Sequence, residues 1–88
     1  MKYIRTETEE GLPEVFVFPR SVNHDVMAEA IGAMKNQSFG QWSRVRRKAV
    51  SAGFVASDGA CYGESLSLSL KSDANDTILL QHQLNQGV

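Results

Sequence analysis

The chain has 88 residues, with nine Lys plus Arg against ten Asp plus Glu, 42% hydrophobic residues and one cysteine. A chain of this length buries only about 60–65% of the surface its unfolded form exposes, which allows one small core and a single domain over 1–88. The hydrophobic fraction excludes a disordered chain, and no apolar run reaches the roughly 18 residues of a membrane span.

Tyr3 to Thr8 reads as a strand, Glu9 to Pro13 as a turn, and Glu14 to Phe18 as a second strand rich in Val and Phe, which together make a hairpin. Pro19 has no N–H for a ladder and ends the second strand; Ser21 then stands as a helix N-cap. Met27, Ala30, Ile31 and Met34 recur at helical spacing, so a helix is expected over 22–35. Asn36 to Gln41 loses that period and reads as the connection between two halves. A strand is expected from Val45 to Ala56, given Val50, Phe54 and Val55.

Ser57-Asp58-Gly59 leads into Ala60 to Leu70, where Ser65-Leu66-Ser67-Leu68-Ser69-Leu70 alternates as a half-buried strand does. Loop length then decides register. A two-residue loop would put Val50 and Phe54 opposite in face to the leucines. A three-residue loop with Gly59 left-handed pairs Ala56 with Ala60, Phe54 with Tyr62 and Val50 with Leu66, and places the apolar residues together. The three-residue loop is therefore expected. The other face then carries Ala49, Ser51, Gly53, Val55, Cys61, Gly63, Ser65, Ser67 and Ser69, nearly all small.

After Lys71, Ser72 is expected to cap a last helix over 73–84, with Asp73 and Asp76 in its first turn, where the helix dipole favours negative charge. Residues 85–88 should fray. Val17 to Met27 resembles Leu68 to Ile78, each reading strand, basic residue, Ser, Asp, helix, so the chain divides into possible repeats of about 1–36 and 43–84. The expected fold is α+β: two strand-strand-helix units forming a four-stranded, mainly antiparallel sheet, with both helices packed on one face. The small-residue face is then open, and Ser51, Ser65, Ser67 and Ser69 become a candidate interface.

Charge is patterned acid, base, acid: residues 1–29 sum to −3, residues 30–57 to +5 and residues 58–88 to −3. The basic stretch Arg44-Val45-Arg46-Arg47-Lys48 follows Phe39 and Trp42 closely. Trp42, Arg44, Arg46 and Arg47 are thus candidates for contact with nucleic acid, by phosphate pairing and base stacking, or with a protein partner. The near-neutral total charge favours ion pairing within or between chains over nucleic acid.

Cys61 and the neighbours His24 and Asp25 are the raw materials for nucleophilic chemistry, but nothing in their spacing joins them. A single cysteine is far more often a packing residue. No enzyme, cofactor or metal site is expected, since His24 and His82 lie far apart with no cysteine pair beside them. MKYIRTETEEGLPE lacks the apolar stretch of a signal peptide, and Cys61 has no internal disulfide partner. A reducing, cytoplasmic home without membrane attachment is expected.

The stretches FPRSVNHDVMAEAI, VSAGFV and CYGESLSLSLKS, within residues 15–80, resemble the small uncharacterised proteins encoded in tailed-phage and prophage genomes. The resemblance implies expression inside a bacterial host and an accessory role, such as binding a host or phage protein or joining an assembly. The expected function is a non-catalytic, homo-oligomeric interaction module, with a nucleic-acid-binding regulator as the alternative.

Overall fold

The computed structural model describes residues 1–32 and 47–86. β1 (Lys2–Thr8) and β2 (Pro13–Phe18) form the expected hairpin, with Lys2 opposite Phe18 and Glu7 opposite Pro13. Its turn closes where the Gly11 N–H donates to the Thr8 carbonyl at 2.9 Å and Gly11 takes φ +82°. β3 (Arg47–Val55) pairs antiparallel with the other edge of β1, with a bulge opposite Arg5 and Thr6. β4 (Cys61–Tyr62) completes an antiparallel four-stranded sheet of order β2-β1-β3-β4. The fold is α+β.

The three-residue hairpin loop is present. The Ala56 N–H donates to the Ala60 carbonyl at 2.9 Å, Phe54 pairs with Tyr62, and Gly59 is left-handed at φ +88°. The strand after it stops far sooner than its alternating pattern implies. Gly63, at φ +80°, turns the chain away, and β5 (Glu64–Ser65) pairs with β6 (Leu70–Lys71) as a separate small hairpin. The pairing of Val50 with Leu66 does not occur, because Leu66 to Ser69 form the tip of that hairpin.

Serine chemistry explains the departure. The Ser65 hydroxyl accepts the Leu68 N–H at 3.2 Å, the Ser69 N–H donates to the Leu66 carbonyl at 3.2 Å, and Ser69 itself is left-handed. Serine side chains of this kind offer the backbone a local partner in place of a ladder. The leucines separate as a result: Leu68 is buried, while Leu66 is 84% exposed.

α1 (His24–Ala30) is shorter than expected. Its N-cap is Asn23 rather than Ser21, because the Val22 N–H donates to the Pro19 carbonyl and holds residues 19–22 as a turn. Gly32, at φ +69°, ends the helical path; positions 33–35 lie outside the described residues. α2 (Asp76–Gln86) begins later than the expected position 73, and the turn that leads into it is closed by Asp73 rather than started at Ser72. The Asp73 carboxylate accepts the Asn75 N–H, and the Asp76 carboxylate reaches back to the Asp73 N–H, both at 2.9 Å. This is the reciprocal arrangement of a capping box.

The two helices lie on opposite faces of the sheet, not on one. Ile4 clusters with Phe18, Ala49, Ala52, Leu68 and Ala28 of α1, whereas Tyr3 clusters with Val15 and Leu80 of α2. Successive residues of a strand point to opposite faces, so these are two cores with β1 between them. The second half also carries the additional β5–β6 hairpin, so the two halves differ in content as well as in helix placement. Among the described residues no helix is long and apolar enough to cross a membrane.

Gly53 marks a close backbone approach, since a Cβ there would collide with the Tyr62 carbonyl oxygen. Gly53→Ala is expected to lower unfolding stability by about 1–3 kcal/mol, the usual cost of overpacking, as read from urea denaturation.

Candidate functional site

The most developed polar constellation joins β1 to the start of α2. Asp76 is completely buried. The Tyr3 hydroxyl donates to its Oδ2 at 2.5 Å, Arg5 Nη1 donates to its Oδ1 at 3.1 Å, and the Asp73 N–H donates to Oδ2. Alternation along β1 places Tyr3 and Arg5 on the same face, and the capping turn brings Asp76 down between them. Arg5 also approaches Glu7 at 3.4 Å and Asp73 at 3.9 Å, so acidic groups surround the guanidinium. Burial, reinforced by the Asp76 carboxylate, pushes the Tyr3 phenol far above its ordinary range and keeps it a donor. With Asp76 shut away from solvent, this cluster holds α2 on the sheet and offers no open acid or base.

Sequence reasoning placed Asp76 at a helix start but missed this cluster. Its local signal was the spacing of Asp73 and Asp76, which matches a capping pair. Nothing local pointed to Tyr3, which lies at the other end of the chain.

His24 and Cys61 are held apart by the sheet. His24 Nε2 donates to the Gly53 carbonyl at 2.8 Å, and its ring stands edge-on to Phe18 and Phe54, at 5.4 and 5.8 Å between centroids. Because a carbonyl only accepts, this contact requires the proton on Nε2. Burial holds the His24 pKa below its ordinary value of 6.5, against the upward pull of the Gly53 carbonyl. Cys61 packs on the other face against Tyr3, Val15 and Leu80, and burial pushes its thiol upward, away from the reactive thiolate.

Of the basic candidates, Trp42, Arg44 and Arg46 lie outside the described residues. Arg47 opens β3, where Nη2 donates to Glu14 Oε1 at 3.1 Å and the guanidinium sits 5.0 Å from the Phe16 ring centre. It is engaged within the fold, across the sheet from its own strand.

The serine candidates do not share an open face. Ser51 is buried, on the same face as its cross-strand neighbour Arg5, and its hydroxyl has no hydrogen-bond partner. Ser65 is buried as the brace of the β5–β6 tip, while Ser67 and Ser69 are exposed on that tip. The face expected to be open is largely covered. Val55 and Cys61 pack into the core beneath α2, Gly53 is buried, and Ala49 is turned by the bulge to the side of α1.

Among the described residues, two surface concavities stand out. A shallow pocket of about 350 Å³ is lined by Arg5, Asn75, Ile78, Leu79 and His82, with Ile78 itself 68% exposed. A broader groove of about 610 Å³ runs past Arg20, Val55, Ala56 and Tyr62. Among the described residues, no cluster of three or more His, Cys, Asp or Glu is placed to hold a metal ion. No family model, no curated protein and no solved structure matches the chain.

Removing one partner from the buried cluster should expose its structural role. Tyr3→Phe is expected to cost about 1.5–3 kcal/mol, as for a hydrogen bond to a charged group, and Asp76→Ala about 3–5 kcal/mol, as for one half of a buried pair. Urea denaturation monitored by circular dichroism reads both.

His24 sets a pH dependence of definite sign. Its pKa is lower in the fold than in the unfolded chain, so between those two values the unfolded state binds more protons and stability rises with pH. Stability contributed by His24 should be present above about pH 6.5 and be lost as pH falls below it. In His24→Gln that portion of the pH dependence should vanish from the urea midpoints.

Proposed function

We propose that this chain is a non-catalytic interaction module of the accessory kind that the phage resemblance implies, acting inside a bacterial host. Its partner is a second copy of itself, met through the outer side of α2. The observation that carries this reading is Ile78: a large apolar side chain left 68% exposed on a helix whose inner side is already occupied by Leu80 and Asp76. It forms one wall of the pocket that Leu79, Arg5, Asn75 and His82 also line, so an apolar side chain rises at the edge of a concavity. That pairing lets one helix bury its Ile78 against the neighbourhood of the other's, in the self-complementary manner of a two-fold interface.

The buried polar groups support the non-catalytic part of the reading. Tyr3 and Asp76 satisfy each other, while His24 and Cys61 face different cores. The nucleic-acid reading rests on Trp42, Arg44 and Arg46 without Arg47, whose guanidinium is engaged by Glu14 and Phe16.

Sedimentation velocity across a wide concentration range tests the proposal. The wild type should associate reversibly, and Ile78→Asp, which places a charge on the contact, should remain monomeric with its fold intact. A wild type that stays monomeric throughout would remove self-association. Salt-sensitive binding of labelled single-stranded DNA, lost in Arg44→Ala/Arg46→Ala, would transfer the function to nucleic acid.

A further inference from the structure

Among the described residues β2 is an edge strand, and its outward hydrogen-bonding groups follow from register. Met1 and Val55 exchange backbone bonds, so the odd residues of β1 bond to β3 and the even ones to β2. Within β2, Glu14, Phe16 and Phe18 therefore bond to β1, and Pro13, Val15 and Val17 turn their backbone groups outward. An exposed row of this kind is a template on which another strand can add.

α2 reaches over that row with one side chain. The Val15 N–H donates to Gln83 Oε1 at 2.8 Å, and Gln83 Nε2 donates to the Val15 carbonyl at 2.7 Å. A single amide thus supplies the acceptor and the donor that a neighbouring strand would present. Pro13 has no N–H, and Pro19, next in the outward series after Val17, has none either. Among the described residues Val17 is the outward one left without a cap, and it is 37% exposed.

We propose that Gln83 acts as a surrogate strand that keeps the β2 edge closed, and that the chain it excludes is β2 of a second copy. The segment is self-complementary. Turned about a two-fold axis through Phe16, Val15 of one copy falls opposite Val17 of the other, so both outward pairs bond, and Pro13 falls opposite Pro19, so the ladder ends at both sides. A foreign strand would need to match this short span between prolines. A second copy matches it by symmetry.

The test is made in the Ile78→Asp background, so that association through α2 neither mimics nor masks the effect, and failure of that reading stays distinguishable from failure of this one. Q83A should show concentration-dependent association in sedimentation velocity. Adding V17P, which removes one of the two outward N–H groups then open, and with it one of the two bonds in each Val15–Val17 pair, without touching a β1–β2 bond, should return it to monomer. A Q83A variant that sediments as its parent does, or one whose association survives V17P, would overturn the proposal.

Amide exchange on the unsubstituted protein guards against variants that fail to fold. The Val15 N–H should exchange markedly more slowly than the Val17 N–H. Equal, fast exchange at the two positions would show that Gln83 does not cap the edge.

Discussion

Burial of β1 on both faces is the constraint from which the rest of the fold follows. Tyr3 and Ile4 are neighbours in sequence, both fully inaccessible, and they point in opposite directions. Each face needs a cover of its own, and a chain of 88 residues has few elements to supply it. α1 with the β5–β6 tip covers Ile4, and α2 covers Tyr3. A layer of helices on a single face would have left one of these two side chains in water.

The cover over Tyr3 is held by polar as well as apolar contact. Leu80 is the one fully buried apolar side chain of α2, and on this scale a single leucine contributes about 1.5–3 kcal/mol of burial. The convergence of Tyr3, Arg5 and the Asp73 N–H on Asp76 fixes the helix start, and Gln83 fixes its later turns on Val15. Hydrogen bonds are directional where apolar contacts are not, so these two anchors set where α2 lies along β2.

The same arrangement decides which surfaces remain for partners. Val55 and Cys61 of the small-residue face lie under α2, and Gln83 occupies the β2 edge at Val15, while Ile78 on the outer side of α2 and Leu66 on the β5–β6 tip are among the exposed apolar side chains. Gly53 and Gly63 belong to this logic too. Only a residue without a side chain lets β4 fold so closely over the end of β3.

Local chemistry in the sequence determined the first hairpin, the three-residue loop at Ser57-Asp58-Gly59, the presence of both helices and the α+β class, because turns, caps and apolar periodicity act over a few residues. The alternation of Ser65 to Leu70 misled for the same reason. A period of two describes a strand only when a partner strand is present, and here the serine hydroxyls and left-handed Ser69 supplied a turn instead. The assembly of Asp76 with Tyr3 and Arg5, and of Gln83 with Val15, was decided by tertiary structure alone. Those partners lie about seventy positions apart in sequence, where no local pattern reaches, and they meet only once β1 is enclosed from both sides.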